Sequence, residues 1–244
     1  SRGESPHRPQ VASSSLWRAG TLAALCYAIH FGAWVWSLGL TSVIASVALV
    51  TTTPLFLGLI GYFRGSDAPS ARLWIALLIA TIGVSILVFD GLLSTSMQTG
   101  AAVDGSAGRL SPPPYLGYSA LIGDLLALIG ALGMAGYLLV SRSLSMSPTG
   151  LALAPFSTIT CLGGAFILWI CAGCILDDHE LTFPQGLPLI ALIGAACIPQ
   201  LIGHTALTWS TRALTPTEVS LATVAEPVGA TLLAWIILSE RRSE

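Results

Sequence analysis

Apolar positions in this chain fall into long, nearly charge-free runs separated by short polar stretches. Seven such runs are present, at 19–40, 43–63, 73–93, 119–140, 151–176, 187–210 and 219–238. Each has about 20 residues, the length a helix needs to cross about 30 Å of hydrocarbon. Most connections between runs are short, as in helical hairpins. Two are longer: 94–118, with its Gly, Ser and Pro112-Pro113-Pro114, and the acidic stretch 177–186. The pattern predicts an all-α membrane protein, a multi-spanning helical bundle. Its segments are a polar N-terminal stretch 1–15, a first set of three helices over 16–93, an extramembrane linker 94–118 and a second set of four over 119–244.

Composition supports that reading and removes several functions. Hydrophobic residues make up 54% and charged residues 9%, with a mean hydropathy of +0.80. A water-soluble chain needs about a quarter of its residues charged, so lipid must cover much of this one. The chain has no lysine and no asparagine. A phosphate-binding G-x-x-x-x-G-K-[ST] loop is therefore excluded, as are a retinal Schiff base and N-glycosylation. The cysteines Cys26, Cys161, Cys171, Cys174 and Cys197 all fall in apolar runs and read as small packing residues, the Cys171/Cys174 spacing included. With alternating loops, Arg2, Arg8, Arg18, Arg64, Arg72, Arg142 and Arg212 collect on one side. Only Arg109, Arg241 and Arg242 fall on the other, with Asp177, Asp178 and Glu180. That bias puts the N-terminus in the cytoplasm and the 177–186 loop outside.

Two helix pairs share one pattern. His30 is followed ten residues on by Leu40-Thr41, then by a mid-run Pro54. His204 is followed ten residues on by Leu214-Thr215, then by a mid-run Pro227. Tryptophans follow each histidine, Trp34 and Trp36 in one copy and Trp209 in the other. The copies lie an odd number of helices apart, so they are expected to cross in opposite directions. Such an inverted repeat is the architecture from which many secondary carriers build two access states.

At three places the residues resemble the EamA-type transporters of the drug/metabolite transporter superfamily. Thr41-Ser-Val-Ile-Ala-Ser-Val-Ala-Leu-Val-Thr-Thr-Thr-Pro54-Leu-Phe is similar to that family's fourth helix. Gly123-Asp124-Leu-Leu-Ala-Leu-Ile-Gly-Ala-Leu is similar to the start of its second half. Gly203-His204 with Trp209, then Leu221, Ala225-Glu226-Pro227-Val228, Ala234-Trp235 and Ser239-Glu240, is similar to its eighth and ninth helices. The resemblance implies ten helices in two inverted halves of five, here without the first two and the last. The chain is on that ground expected to be part of a longer protein, and its lack of an initial Met agrees. The resemblance further implies a bacterial inner-membrane carrier of small metabolites such as amino acids or drugs, working by alternating access in the export direction. It leaves room for a homodimer and for proton coupling, and calls for no cofactor, metal or nucleic acid.

Polar groups inside a span cost about 2.5–3.5 kcal/mol when charged and should face the bundle interior. Tyr27, His30, Trp34 and Ser37 form one helical face, and Gln200, His204, Thr208 and Thr211 another. His30, Trp34, Thr53, Tyr137, His204, Trp209 and Glu226 are the candidate substrate-binding residues, with Pro54 and Pro227 as structural kinks. Glu226, just before Pro227, offers a carboxylate to a cation or proton; a structural carboxylate is the alternative. At Thr53-Pro54, the hydroxyls of Thr51, Thr52 and Thr53 can satisfy the groups that a kink frees. Gly130, Gly133 and Gly136 permit close helix approach beside Tyr137. Thr215-Pro216-Thr217-Glu218 reads as a capping box, and Asp124 as a helix-terminus residue. Every arginine lies at or beyond a run end, which argues against a nucleotide-sugar or sugar-phosphate carrier, since phosphate recognition uses Arg or Lys. A non-transporting membrane subunit or scaffold is the other alternative. No catalytic motif falls in a run, so no enzyme activity is expected.

Overall fold

The computed structural model describes residues 13–83, 85–86, 118–147, 152–175 and 184–225, and every regular element among them is a helix. In order they are α1 (Ser13–Ser37), α2 (Val43–Val50), α3 (Thr53–Arg64), α4 (Ala71–Gly83), α5 (Tyr118–Ser145), α6 (Leu153–Ile175) and α7 (Leu187–Ala195). A π-helical stretch (Ala196–His204), α8 (Thr205–Ser210) and α9 (Pro216–Thr223) complete them. Five helical stretches among these residues are long and apolar enough to cross a membrane, at Ser14–Ser37, Ala45–Arg64, Tyr118–Ser145, Leu153–Ile175 and Leu187–Ser210. The third expected run is helical over Ala71–Gly83. Most of the seventh, with Glu226 and Pro227, lies outside the described residues, as does the linker up to residue 117.

The outward surface is that of a protein covered by lipid. Leu162, Phe166, Trp169 and Ile170 of α6 are each more than half exposed, and so are Leu187, Ile190 and Leu192 of α7. In water a contiguous apolar face of this kind drives aggregation; in hydrocarbon it is the ordinary outer surface. Inside, alanines are buried beside a few bulky side chains such as Phe156, Leu57, Leu77 and Leu138. Ala127, Ala131 and Ala135 form a buried stripe along α5. With lipid as solvent, close backbone approach and interhelical hydrogen bonds hold the helices together.

Two compact units can be described, each by itself. The first joins Ser1–Gly32 to Gly136–Leu214, the second Ala33–Ala135 to Thr215–Glu244. In the first, α6 packs on α1. A Cβ on Gly20 would stand 2.7 Å from Ile159, and one on Gly163 2.9 Å from the Ala24 Cβ. The α5 helix approaches α1 as closely, since a Cβ on Gly136 would stand 2.8 Å from the Cys26 sulfur. In the second unit α3 packs against α9.

Two expected spans are interrupted. The run 43–63 is two helices, with Thr51 and Thr52 between them and Pro54 in the first turn of α3. As expected for a proline break, the threonines satisfy the carbonyls it would strand. Thr51, Thr52 and Thr53 donate to the carbonyls of Ala48, Leu49 and Val50 at 2.8, 2.6 and 2.9 Å. The run 187–210 carries the π stretch around Pro199. Proline has no N–H and its ring meets the carbonyl four residues back; i→i+5 bonding passes over that position. Pro199 was not among the kinks expected from the sequence.

The capping box is formed. Thr215 Oγ1 accepts from the Glu218 N–H at 3.3 Å, and Glu218 Oε2 accepts from the Thr215 N–H at 2.8 Å. Thr215→Ala is expected to lower stability by about 1 kcal/mol, read as a lower unfolding midpoint of the detergent-solubilised chain. An unchanged midpoint would mean that α9 does not depend on its cap.

Candidate functional site

In the first unit the two polar faces expected from the sequence meet. Gln200 of the π stretch donates to the Tyr27 hydroxyl, and its Nε2 also lies 3.7 Å from the Cys161 sulfur. The His204 ring stands edge-on to Tyr27 at 5.5 Å and to Phe31 at 5.6 Å between centroids. Phe31 meets His30 at 4.7 Å. Tyr137 of α5 closes the cluster, 5.2 Å from the Tyr27 ring and stacked on Phe156 at 6.2 Å. Its hydroxyl pairs with that of Thr208. His30, Tyr137 and His204 are thus gathered around Tyr27 and Phe31.

Sequence explains the arrangement locally. Phe156, Thr160 and Gly164 recur every four residues on α6 and are its buried face. A Cβ on Gly164 would be 3.4 Å from the Tyr27 ring, so glycine there lets α6 lie against the aromatic side chain. At the far end of the unit, Arg142 Nη1 donates to the Thr211 carbonyl at 2.9 Å, and Ser145 and Thr211 share a hydroxyl contact at 3.1 Å. These bonds satisfy the end of α8 with α5 side chains.

Three buried polar atoms of this unit have no hydrogen-bond partner among the described residues: His204 Nδ1, Thr160 Oγ1 and Ser157 Oγ. The Thr160 side chain is 1% exposed. In a span, a polar group left in that state costs several kcal/mol unless water or another polar molecule reaches it. Trp209 is 58% exposed and sits on the outer surface of α8.

The second unit holds a cavity of about 450 Å³, walled by α2, α3, α4, the first turns of α5 and Val224. Thr53 is buried, with its hydroxyl 2.9 Å from the Val50 carbonyl and 3.3 Å from that of Ala131. It is not one of the lining residues, whereas its neighbours Thr51, Thr52 and Pro54 are. Trp34 also belongs to this unit; its carbonyl accepts from the Ser37 hydroxyl at 2.6 Å, and Ser37 meets Ser46 at 2.5 Å.

Asp124, which its sequence context marks as a helix-terminus residue, lines this cavity. It stands in the second turn of α5, past the helix terminus expected for it, and accepts from the Thr41 hydroxyl at 2.8 Å. Gly123 makes the pairing possible, because a Cβ there would be 2.9 Å from the Thr41 backbone nitrogen. Both residues were in view, within Leu40-Thr41 and Gly123-Asp124. Nothing in the sequence pairs positions 83 residues apart.

The family model described as the EamA-like transporter family matches residues 121–243. No curated protein matches the chain.

Proposed function

Because the chain belongs to the EamA-like transporter family, we propose that it is a secondary transporter that exports small metabolites by alternating access. Membership places it among integral membrane transporters; the direction, the mechanism and the solute are the proposal. The observation that carries it is the meeting of the Tyr27/His30 face with the Gln200/His204 face, in a unit where His204 Nδ1, Thr160 Oγ1 and Ser157 Oγ are buried without a hydrogen-bond partner among the described residues. A solute path through the bundle gives such atoms a reason to persist, since in a purely structural core they are destabilising. The repeated histidine–threonine–proline pattern supports the same reading, with its two copies crossing in opposite directions around the path.

In this reading His30, Tyr137 and His204 contact the solute, and Glu226 supplies a carboxylate for a cation or a coupled proton. Reconstitution of a version with all family helices into proteoliposomes, with efflux measured over a panel of amino acids and amphipathic drugs, tests it. His204→Ala and Glu226→Gln should each slow transport about tenfold, the size of one lost polar contact. Wild-type rates in both variants would remove the site assignment, and no movement of any solute would remove the function.

A further inference from the structure

Among the described residues, the polar side chains of the cavity in the second unit offer mainly one half of a hydrogen bond. Six hydroxyls line it among the described residues, and five have already given their proton away. Thr41 donates to Asp124, and Thr51, Thr52, Thr81 and Ser85 donate to backbone carbonyls of their own helical turns at 2.6–2.8 Å. The sixth, Ser42, accepts from the Ala45 N–H as the cap of α2. A hydroxyl whose proton is engaged presents only lone pairs to the space in front of it. Asp124 adds a carboxylate, and Thr41 is the one side chain that donates to it among the described residues. No lysine, arginine, histidine, tryptophan or asparagine side chain is among the described lining residues. The remaining described lining residues are Ala, Leu, Val and Pro.

We propose that this cavity binds a small organic ammonium: an amine with an apolar body and no carboxylate. The ammonium group has only donors to give, and the polar lining among the described residues is mostly acceptors, with the Asp124 carboxylate to balance its charge. The apolar body lies against the alanine and leucine walls. A bare inorganic cation fits less well, since about 450 Å³ is the share of on the order of fifteen waters and falls within the range of small-molecule pockets. An amino acid fits less well for a different reason. Its carboxylate would stand beside Asp124 and, among the described residues, would find Ser42 as the one lining hydroxyl with a proton not already donated, so it would be repelled and poorly satisfied.

The inference rests on the carrier reading, to which it gives a substrate class, but the binding it asserts is measured without transport. Equilibrium dialysis of the purified full chain in lipid nanodiscs, with radiolabelled phenethylamine and with phenylalanine, is the experiment. Phenethylamine should bind saturably and phenylalanine about tenfold more weakly or worse, the effect of one unmatched charged hydrogen bond. Asp124→Asn, checked for retained helicity by circular dichroism, should weaken the amine about tenfold or more without improving the amino acid to the same level. Equal binding of the two probes by the wild-type chain would overturn the proposal, whatever the variant does. So would unaltered amine binding by a folded Asp124→Asn chain, or no saturable amine binding at all. If proteoliposomes carry a solute while the amine fails to bind, this inference falls and the transport reading stands. If the amine binds and nothing is carried, the reverse holds.

Discussion

Gly123→Leu is expected to abolish recovery of a folded, monodisperse chain from mild detergent. A Cβ alone at this position would lie 2.9 Å from the Thr41 backbone nitrogen, 2.9 Å from its Cβ and 3.0 Å from the Leu40 carbonyl carbon. Two of those three atoms are backbone and cannot swing away, so α5 would have to move off the turn between α1 and α2. For alanine, overpacking of this kind costs about 1–3 kcal/mol. Leucine adds three more carbons into the same space and exceeds that range, a large fraction of the whole stability of a folded chain. The Thr41–Asp124 hydrogen bond would be lost with the approach that permits it. Gly83→Leu is the control, because a Cβ at Gly83 meets nothing within 4 Å. Size-exclusion profiles and unfolding midpoints of the two variants decide it. A Gly123→Leu chain with a wild-type midpoint would show that the close approach is absent.

This glycine also marks the limit of what the sequence made legible. Runs of apolar residues give helix positions directly, because a bilayer demands about 20 such residues whatever the neighbours are. The capping box at Thr215 is equally local, being set by residues three apart. The two histidine faces were visible because helical spacing places Tyr27 with His30, and Gln200 with His204, on one side each. Their meeting was expected from the repeat, and in the structure Tyr27 touches both Gln200 and His204.

What stayed hidden depends on distant pairs or on backbone detail. Asp124 reads as a helix-terminus residue until Thr41 is brought against it. The acceptor character of the cavity is a property of rotamers: the same threonines turned the other way would donate into it. Hydroxyls in membrane helices usually return their proton to the preceding turn, so four of the five spent protons around the cavity follow a local preference that composition cannot display, and the fifth, on Thr41, goes to Asp124. Thr53 shows the converse. Its place beside Pro54 was plain from the sequence, but its hydroxyl faces the carbonyls of Val50 and Ala131, and the lining falls to Thr51 and Thr52.

A proline inside an apolar run signals a kink without saying which kind, and the effect of Pro199 reaches furthest into the site. In a regular α-helix, Gln200 and Thr208 are turned about 80° from each other. The wider π stretch Ala196–His204 takes up much of that rotation, and Gln200 reaches Tyr27 while Thr208 reaches Tyr137. Pro199→Ala restores a donor for the carbonyl four residues back and removes the ring that blocks α-helical bonding. The variant is therefore expected to fold with an equal or higher unfolding midpoint, yet to lose the register that holds both contacts. Transport in proteoliposomes should fall about tenfold or more, from the loss of at least one buried hydrogen bond at the site. A second readout does not depend on transport. The energetic coupling between Tyr27→Phe and Gln200→Ala, present in the wild-type background, should vanish in the Pro199→Ala background. A Pro199→Ala chain that keeps both the coupling and the transport rate would show that the π stretch follows from the surrounding packing and does not set the site.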